Sequence, residues 1–226
     1  MRCRYRLFFL FIIPVSVCSC GQSGQDYFPL GNHYSREYVI EEKVNDQREI
    51  LKSVGADLEP ITIEGSEYYP RRYANGKTYY FKKSEAGISV VTEPGQPGKI
   101  ILGFPFLTGT IWQTETRVDI LHRRHESFSG GESFISPDDK IMLDFHIAGM
   151  DDTVRVPAGE YTHCMRIEGN GSVKVDARTR GIDHIRIEET EWYAKGVGLV
   201  RRKRTEMSIP EKYRGELVQE LVSVKK

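Results

Sequence analysis

Only a handful of residues in this sequence stand at spacings that support chemistry. Of six histidines, His122 and His125 form the one close pair, and residues three apart on a strand point to opposite faces, which chelates poorly. Asp144 and His146 sit two apart and share a face, so they are able to act together as a ligand or acid–base pair. Asp138-Asp139 and Asp151-Asp152 read as turn carboxylates without the spaced pattern of a calcium loop. No Gly-x-Ser-x-Gly elbow occurs, and Ser127, Ser129 and Ser133 surround Gly130-Gly131 as turn composition. Cys164 lies among Tyr161, Met165 and Ile167, the setting of a packed thiol. The run Arg201-Arg202-Lys203-Arg204 would alternate between two faces of a strand, which predicts a charge-blunted edge strand or, failing that, contact with anionic lipid head groups. These readings predict no catalytic residue, no metal, no cofactor and no enzymatic activity.

The N-terminus carries the clearest chemical signal. Met1–Arg6 is basic and Leu7–Val17 is apolar, too short for the roughly 20 residues of a spanning helix. Val17-Cys18-Ser19-Cys20 resembles the bacterial lipoprotein signal, with a branched residue at −3 and a small one at −1 before the cysteine that becomes residue +1. The resemblance implies removal of residues 1–19, diacylation of Cys20 and a flexible tether over 20–26; an ordinary signal peptide cleaved nearby, or a short retained anchor, is the alternative. Gly21 at +2 implies transfer to the outer membrane, with the body facing the periplasm. Each buried methylene contributes about 0.8 kcal/mol, so an acyl anchor holds the protein to the membrane without spanning it.

Loss of Arg2, Arg4 and Arg6 leaves 29 basic against 32 acidic side chains, a net of −3, which predicts no capture of nucleic acid. Cys3 and Cys18 depart with the signal and Cys20 is acylated. Cys164 then stands alone, without an intramolecular disulfide.

The elements that must carry these residues are strands. Period-two alternation runs through 34–44, 77–83, 86–92, 110–122, 141–147, 161–168, 183–193 and 216–224. Turn chemistry separates them at Asn75-Gly76, Glu93-Pro94-Gly95, Ser136-Pro137, Pro157-Ala158-Gly159 and Gly169-Asn170-Gly171. Residues 46–54 fit a short helix capped by Asn45 or Asp46 and ended by Gly55, and fit a strand almost equally. The fold class is therefore all-β: a curved antiparallel sheet forming a half-barrel or open barrel, with at most one short helix. The body, 27–226, forms a single domain. Tyr27-Phe28-Pro29-Leu30-Gly31 echoes Phe104-Pro105-Phe106-Leu107-Thr108-Gly109, each leading into a strand, which allows two related halves, 27–103 and 104–226.

Three segments carry a resemblance: the Tyr27–Tyr34 opening, Val156-Pro157-Ala158-Gly159-Glu160-Tyr161 followed by Cys164 and Ile167, and Trp192-Tyr193-Ala194-Lys195-Gly196-Val197-Gly198-Leu199-Val200. Together they resemble a widespread group of uncharacterised bacterial secreted proteins and lipoproteins classed as a domain of unknown function. The resemblance covers most of 26–224 and implies a curved sheet similar to periplasmic lipid-handling half-barrels, with no established activity. On such a sheet Trp112, Trp192 and Tyr193 are expected on the concave face, lining a cleft for an acyl chain or other apolar ligand. Plain core packing, or a sheet that docks an envelope protein partner, is the alternative.

Overall fold

The computed structural model describes residues 26–31, 33–122, 140–177 and 182–226. Thirteen strands account for most of them: β1 (Ser35–Val44), β2 (Gln47–Asp57), β3 (Ile61–Ile63), β4 (Ser66–Tyr73), β5 (Thr78–Ser84), β6 (Gly87–Val91), β7 (Lys99–Gly103), β8 (Ile111–Arg117), β9 (Lys140–Val156), β10 (Gly159–Ala177), β11 (Ile182–Ala194), β12 (Gly198–Ile209) and β13 (Arg214–Lys225). One helical turn, at 120–122, follows β8. No described helix is long and apolar enough to cross a membrane.

Every ladder is antiparallel, and the order around the sheet is β7-β6-β5-β4-β2-β1-β13-β12-β11-β10-β9-β8, with β3 attached to β4. Read as a circle, this is a simple meander in which the first and last strands pair, Ser35 opposite Lys225 through Val44 opposite Gly215. The circle stops short of closing between β7 and β8. There Thr114 Oγ1 donates to the Ile100 carbonyl, a side-chain hydroxyl taking the place of a backbone ladder. The expected open barrel is thus present, with its two edge strands set against each other across a seam.

Alternation fills the barrel. Ile141, Leu143, Phe145 and Ile147 of β9 all point inward and are buried, as do Ile185 and Ile187 of β11 and Ile88 and Leu102 across from them. Every strand, and every core residue from Tyr27 to Leu221, lies within 21–226, so that segment holds the whole described fold. The long β9–β10 hairpin curls over one end, where Ala158 N donates to the Leu221 carbonyl at 3.0 Å. Beneath its tip a second, smaller core gathers Val154, Cys164, Ala194, Val200 and Leu221.

Three local expectations are corrected. Residues 46–54 belong to β2 and are not helical: Asn45, at φ 51°, and Asp46 make a two-residue turn that sets Gln47 opposite Val44. Gly169-Asn170-Gly171 is not a turn but the middle of β10, paired on both sides. These glycines serve close approach, since a Cβ on Gly169 would lie 2.3 Å from the Phe145 ring and one on Gly171 would lie 2.6 Å from the Met142 carbonyl. Asp151-Asp152 likewise lies within β9, whereas Asp138-Asp139 falls outside the described residues. The boundary at 103/104 coincides with the seam, and the two echoing segments meet there, Tyr27 packing edge-on against Phe106 at 5.8 Å.

Candidate functional site

The barrel encloses a cavity of about 220 Å³. One side is apolar, with Phe28, Phe81, Ile101, Leu143, Phe145 and Leu199 among its walls. The other side is charged, and its source is the basic run of β12. That strand is not an edge: it lies between β11 and β13, which corrects the expectation of edge blunting. Alternation sends Arg201 and Lys203 outward and Arg202 and Arg204 into the barrel, opposite Glu191 and Glu189 of β11.

A continuous network results. Arg202 Nε lies 2.7 Å from Glu189 Oε1 and 3.4 Å from Glu191 Oε1. Arg204 donates to Glu189 at 3.0 Å, to Glu206 at 2.9 Å and to Thr116 at 3.1 Å. Glu206, fully buried, also accepts from the backbone N–H groups of Asp119 and Leu121, which fixes the chain after β8. Burial on its own raises a carboxyl pKa, and the two carboxyls that share Arg202 part company. Glu189 is held well below the usual range by Arg202 and Arg204 against that burial, while Glu191 is raised by burial and by the charge of Glu189. Tyr193, whose hydroxyl donates to Glu191, is pushed well above its usual value by burial.

A second buried group borders the cavity at β1, β2 and β4. Asp57 bridges Arg36, 2.9 Å away, and Arg71, 2.6 Å away, and the Arg71 guanidinium also lies over the rings of Phe28 and Phe81. Arg36 donates through Nε to the Val197 carbonyl, while its Nη2 is buried without a partner.

The three expected ligand residues are therefore separated. Tyr193 lines the cavity. Trp112 is core: it stacks on Phe145 with ring centroids 5.6 Å apart and packs against Gly103 across the seam, and it is not part of the cavity wall. Trp192, next to Tyr193 on one strand, must face the other way; it packs under the β9–β10 tip and its Nε1 donates to Asp152 at 2.9 Å. The sequence signal for the true lining was the coincidence of Glu189 and Glu191 on one parity of β11 with Arg202 and Arg204 on one parity of β12.

Asp144 and His146 share a face as expected, on the outside of the barrel. Asp144 accepts from Gln113 at 2.8 Å, and His146 lies 3.7 Å from Glu168 rather than against Asp144. Among the described residues no group of three or more His, Cys, Asp or Glu side chains is placed to hold a metal. His125 and Cys20 fall outside the described residues. Cys164 is fully buried, and burial pushes its thiol up to about 11.

No family model and no curated protein matches this sequence. Among solved structures, a Bacteroides fragilis protein assigned as exported and described as having a YmcC-like fold aligns at 12% identity and a TM-score of 0.45, covering 89% of this chain and all of its own. A Parabacteroides distasonis protein assigned as a lipoprotein aligns at 13% identity and a TM-score of 0.41, covering 89% of this chain and 99% of its own. A DUF1329 family protein from Desulfovibrio piger aligns at 10% identity and a TM-score of 0.25, covering 85% and 84%.

Proposed function

We propose that this chain is an envelope lipoprotein, anchored through acylated Cys20 to the outer membrane on its periplasmic side, whose barrel interior holds an apolar or lipid-like guest without transforming it. The observation that carries this reading is the internal cavity of about 220 Å³ with an aromatic and aliphatic wall. That volume is below the roughly 300–1,000 Å³ of sites for drug-sized ligands, so the guest is a short chain or the end of a longer one. The charged wall opposes cations to carboxylates, so a guest meets a largely compensated surface.

The test is mass spectrometry of organic extracts from residues 21–226 purified without detergent, beside Leu143→Phe, which fills the cavity. An apolar molecule at near one-to-one ratio in the wild type and depleted in the variant is the expected result; a wild type free of any such molecule overturns the reading. Cys20→Ala should move the full chain from membranes to the soluble fraction. Docking of an envelope protein partner is the second reading, favoured by Leu107 and Ile111, apolar side chains 62% and 79% exposed around the start of β8. Cross-linking in cells through these positions should recover one partner, and recovery of background only removes it.

A further inference from the structure

The loop that joins β7 to β8 carries no charged residue. Phe104-Pro105-Phe106-Leu107-Thr108-Gly109-Thr110-Ile111 is neutral in a chain of which 28% is charged. Its Leu107 and Ile111 are the most exposed large hydrophobic side chains among the described residues, at 62% and 79%. Hydrogen bonds hold the loop in that posture: Thr110 N donates to the Leu107 carbonyl at 3.1 Å, Thr110 Oγ1 to the Pro105 carbonyl at 2.7 Å, and Gly109 N to the Ile147 carbonyl at 2.8 Å. A single exposed leucine is ordinary on a protein surface, but these two adjoin the half-buried rings of Phe104 and Phe106, which meet edge-on at 4.7 Å.

The start of the body lies against the same loop. Tyr27 packs on Phe106 at 5.8 Å, and Asp26 is fixed to the barrel, its carbonyl accepting from Gly196 N at 2.8 Å and its carboxylate from Phe28 N at 2.8 Å. Six residue steps separate Asp26 from Cys20, a span of about 20 Å when fully extended. An acyl chain on Cys20 holds this end of the barrel within that distance of the bilayer. β1 begins at the same end, where Arg36 donates to the Val197 carbonyl, and the Asn45-Asp46 turn lies at its other end, roughly 33 Å of strand away. Exposed Lys83 and Lys195 flank the loop, each ammonium 5.5 Å from the centre of a ring, of Phe104 and Tyr27 respectively. Glu85 and Asp26 stand in the same segments as these lysines, so this end offers apolar area rather than net charge.

We propose that this loop seats the barrel on the phospholipid bilayer that holds its anchor. Leu107 and Ile111 enter the boundary between head groups and acyl chains, while Lys83 and Lys195 lay their stems along the aromatic rings and turn their ammonium groups to the head groups. Lipid, and not an envelope protein, then covers the exposed apolar surface. This rests on the reading of Cys20 as acylated and adds a fixed orientation, which a lipid anchor on a short tether does not supply by itself. Because the contact is apolar, it needs no anionic lipid and changes little with salt.

The experiment places a polarity-sensitive fluorophore on one introduced cysteine of the acylated protein, at Thr108→Cys in the loop or at Asp46→Cys at the far end. Both positions are exposed, and Cys164 is buried and stays unlabelled. The proteins are reconstituted in phosphatidylcholine vesicles with and without a lipid that carries a nitroxide just below its head group. Expected is a blue-shifted emission and several-fold stronger quenching at position 108 than at position 46, the same at low and high salt, and lost when Leu107→Ser/Ile111→Ser is added. Those two side chains are exposed, so the added substitutions should keep wild-type unfolding. Equal quenching at both positions, or none at 108 in vesicle-bound protein, overturns the seating and leaves the anchor intact. Quenching at 108 that survives the two serine substitutions overturns the role of Leu107 and Ile111. An unquenched position 108 that cross-links to one protein in cells gives the surface to a protein partner and overturns the lipid contact. Absence of an acyl chain on Cys20, read by mass, overturns the anchor; the loop is then tested with the same outcomes on residues 21–226 held to these vesicles by an N-terminal hexahistidine tag and a nickel-chelating lipid.

Discussion

Arg204→Met is the substitution that most directly tests whether the barrel interior is held together by charge. Arg204 is buried and contacts two buried carboxylates, Glu189 at 3.0 Å and Glu206 at 2.8 Å. Methionine keeps much of the side-chain volume and removes the charge, so the loss is mainly electrostatic. Glu206 retains the backbone N–H groups of Asp119 and Leu121, and Glu189 retains Arg202. Breaking one side of a buried pair typically costs about 3–5 kcal/mol. Because both carboxylates keep other donors, we place the cost at the lower end, about 3 kcal/mol. For a domain of this size each kcal/mol lowers the melting temperature by roughly 2–4 °C, so a drop of about 6–12 °C is expected in thermal unfolding followed by circular dichroism. The deficit should shrink as pH falls, since Glu189, held well below the usual range in part by Arg204, takes up a proton more readily once that cation is gone. Lys203→Met, one residue away but exposed on the outer face, should change stability by no more than about 0.5 kcal/mol. Arg204→Met within about 1 kcal/mol of wild type at neutral pH would refute a closed internal network.

Glu191 gives a pH signature: its carboxyl rises from the ordinary 4.5 to about 7, so the folded state holds a proton that the unfolded chain has released, and this group's contribution to stability declines between about pH 4.5 and 7 and is constant above. Denaturant titrations at pH 5, 6, 7 and 8 should show that decline in wild type and its loss in Glu191→Gln; parallel curves for the two proteins would contradict the assignment. Gly169→Ala should destabilise by about 1–3 kcal/mol, because its Cβ meets a Phe145 ring already stacked on Trp112, and an unchanged urea midpoint would show that the ring can yield. Cys164 should resist aromatic disulfide reagents at neutral pH and react only as fast as the domain unfolds, since its thiol is buried and raised to about 11; prompt labelling of the native protein would contradict this.

The sequence by itself determined the strand content and the inward set on the clearest strands, because a period of two assigns each side chain to one face before any partner is known. Ile141, Leu143, Phe145 and Ile147 needed no further context. The same rule already placed Trp192 and Tyr193 on opposite faces, and placed Arg202 and Arg204 together. What it left open was which face is the interior and which strands flank β12. Only the pairing of β1 with β13 decided that. It closes the meander into a near-barrel, turns a basic run that resembles a blunted edge into a buried network with Glu189, Glu191 and Glu206, and leaves the one unladdered junction between β7 and β8. Glycines gave no warning either: Gly169 and Gly171 read as turn formers locally, and their role as gaps for Phe145 and the Met142 backbone exists only across strands. Registers and neighbours are long-range facts, set by packing between residues far apart in the chain, so a local pattern fixes the alternation of a strand but not what that strand lies beside.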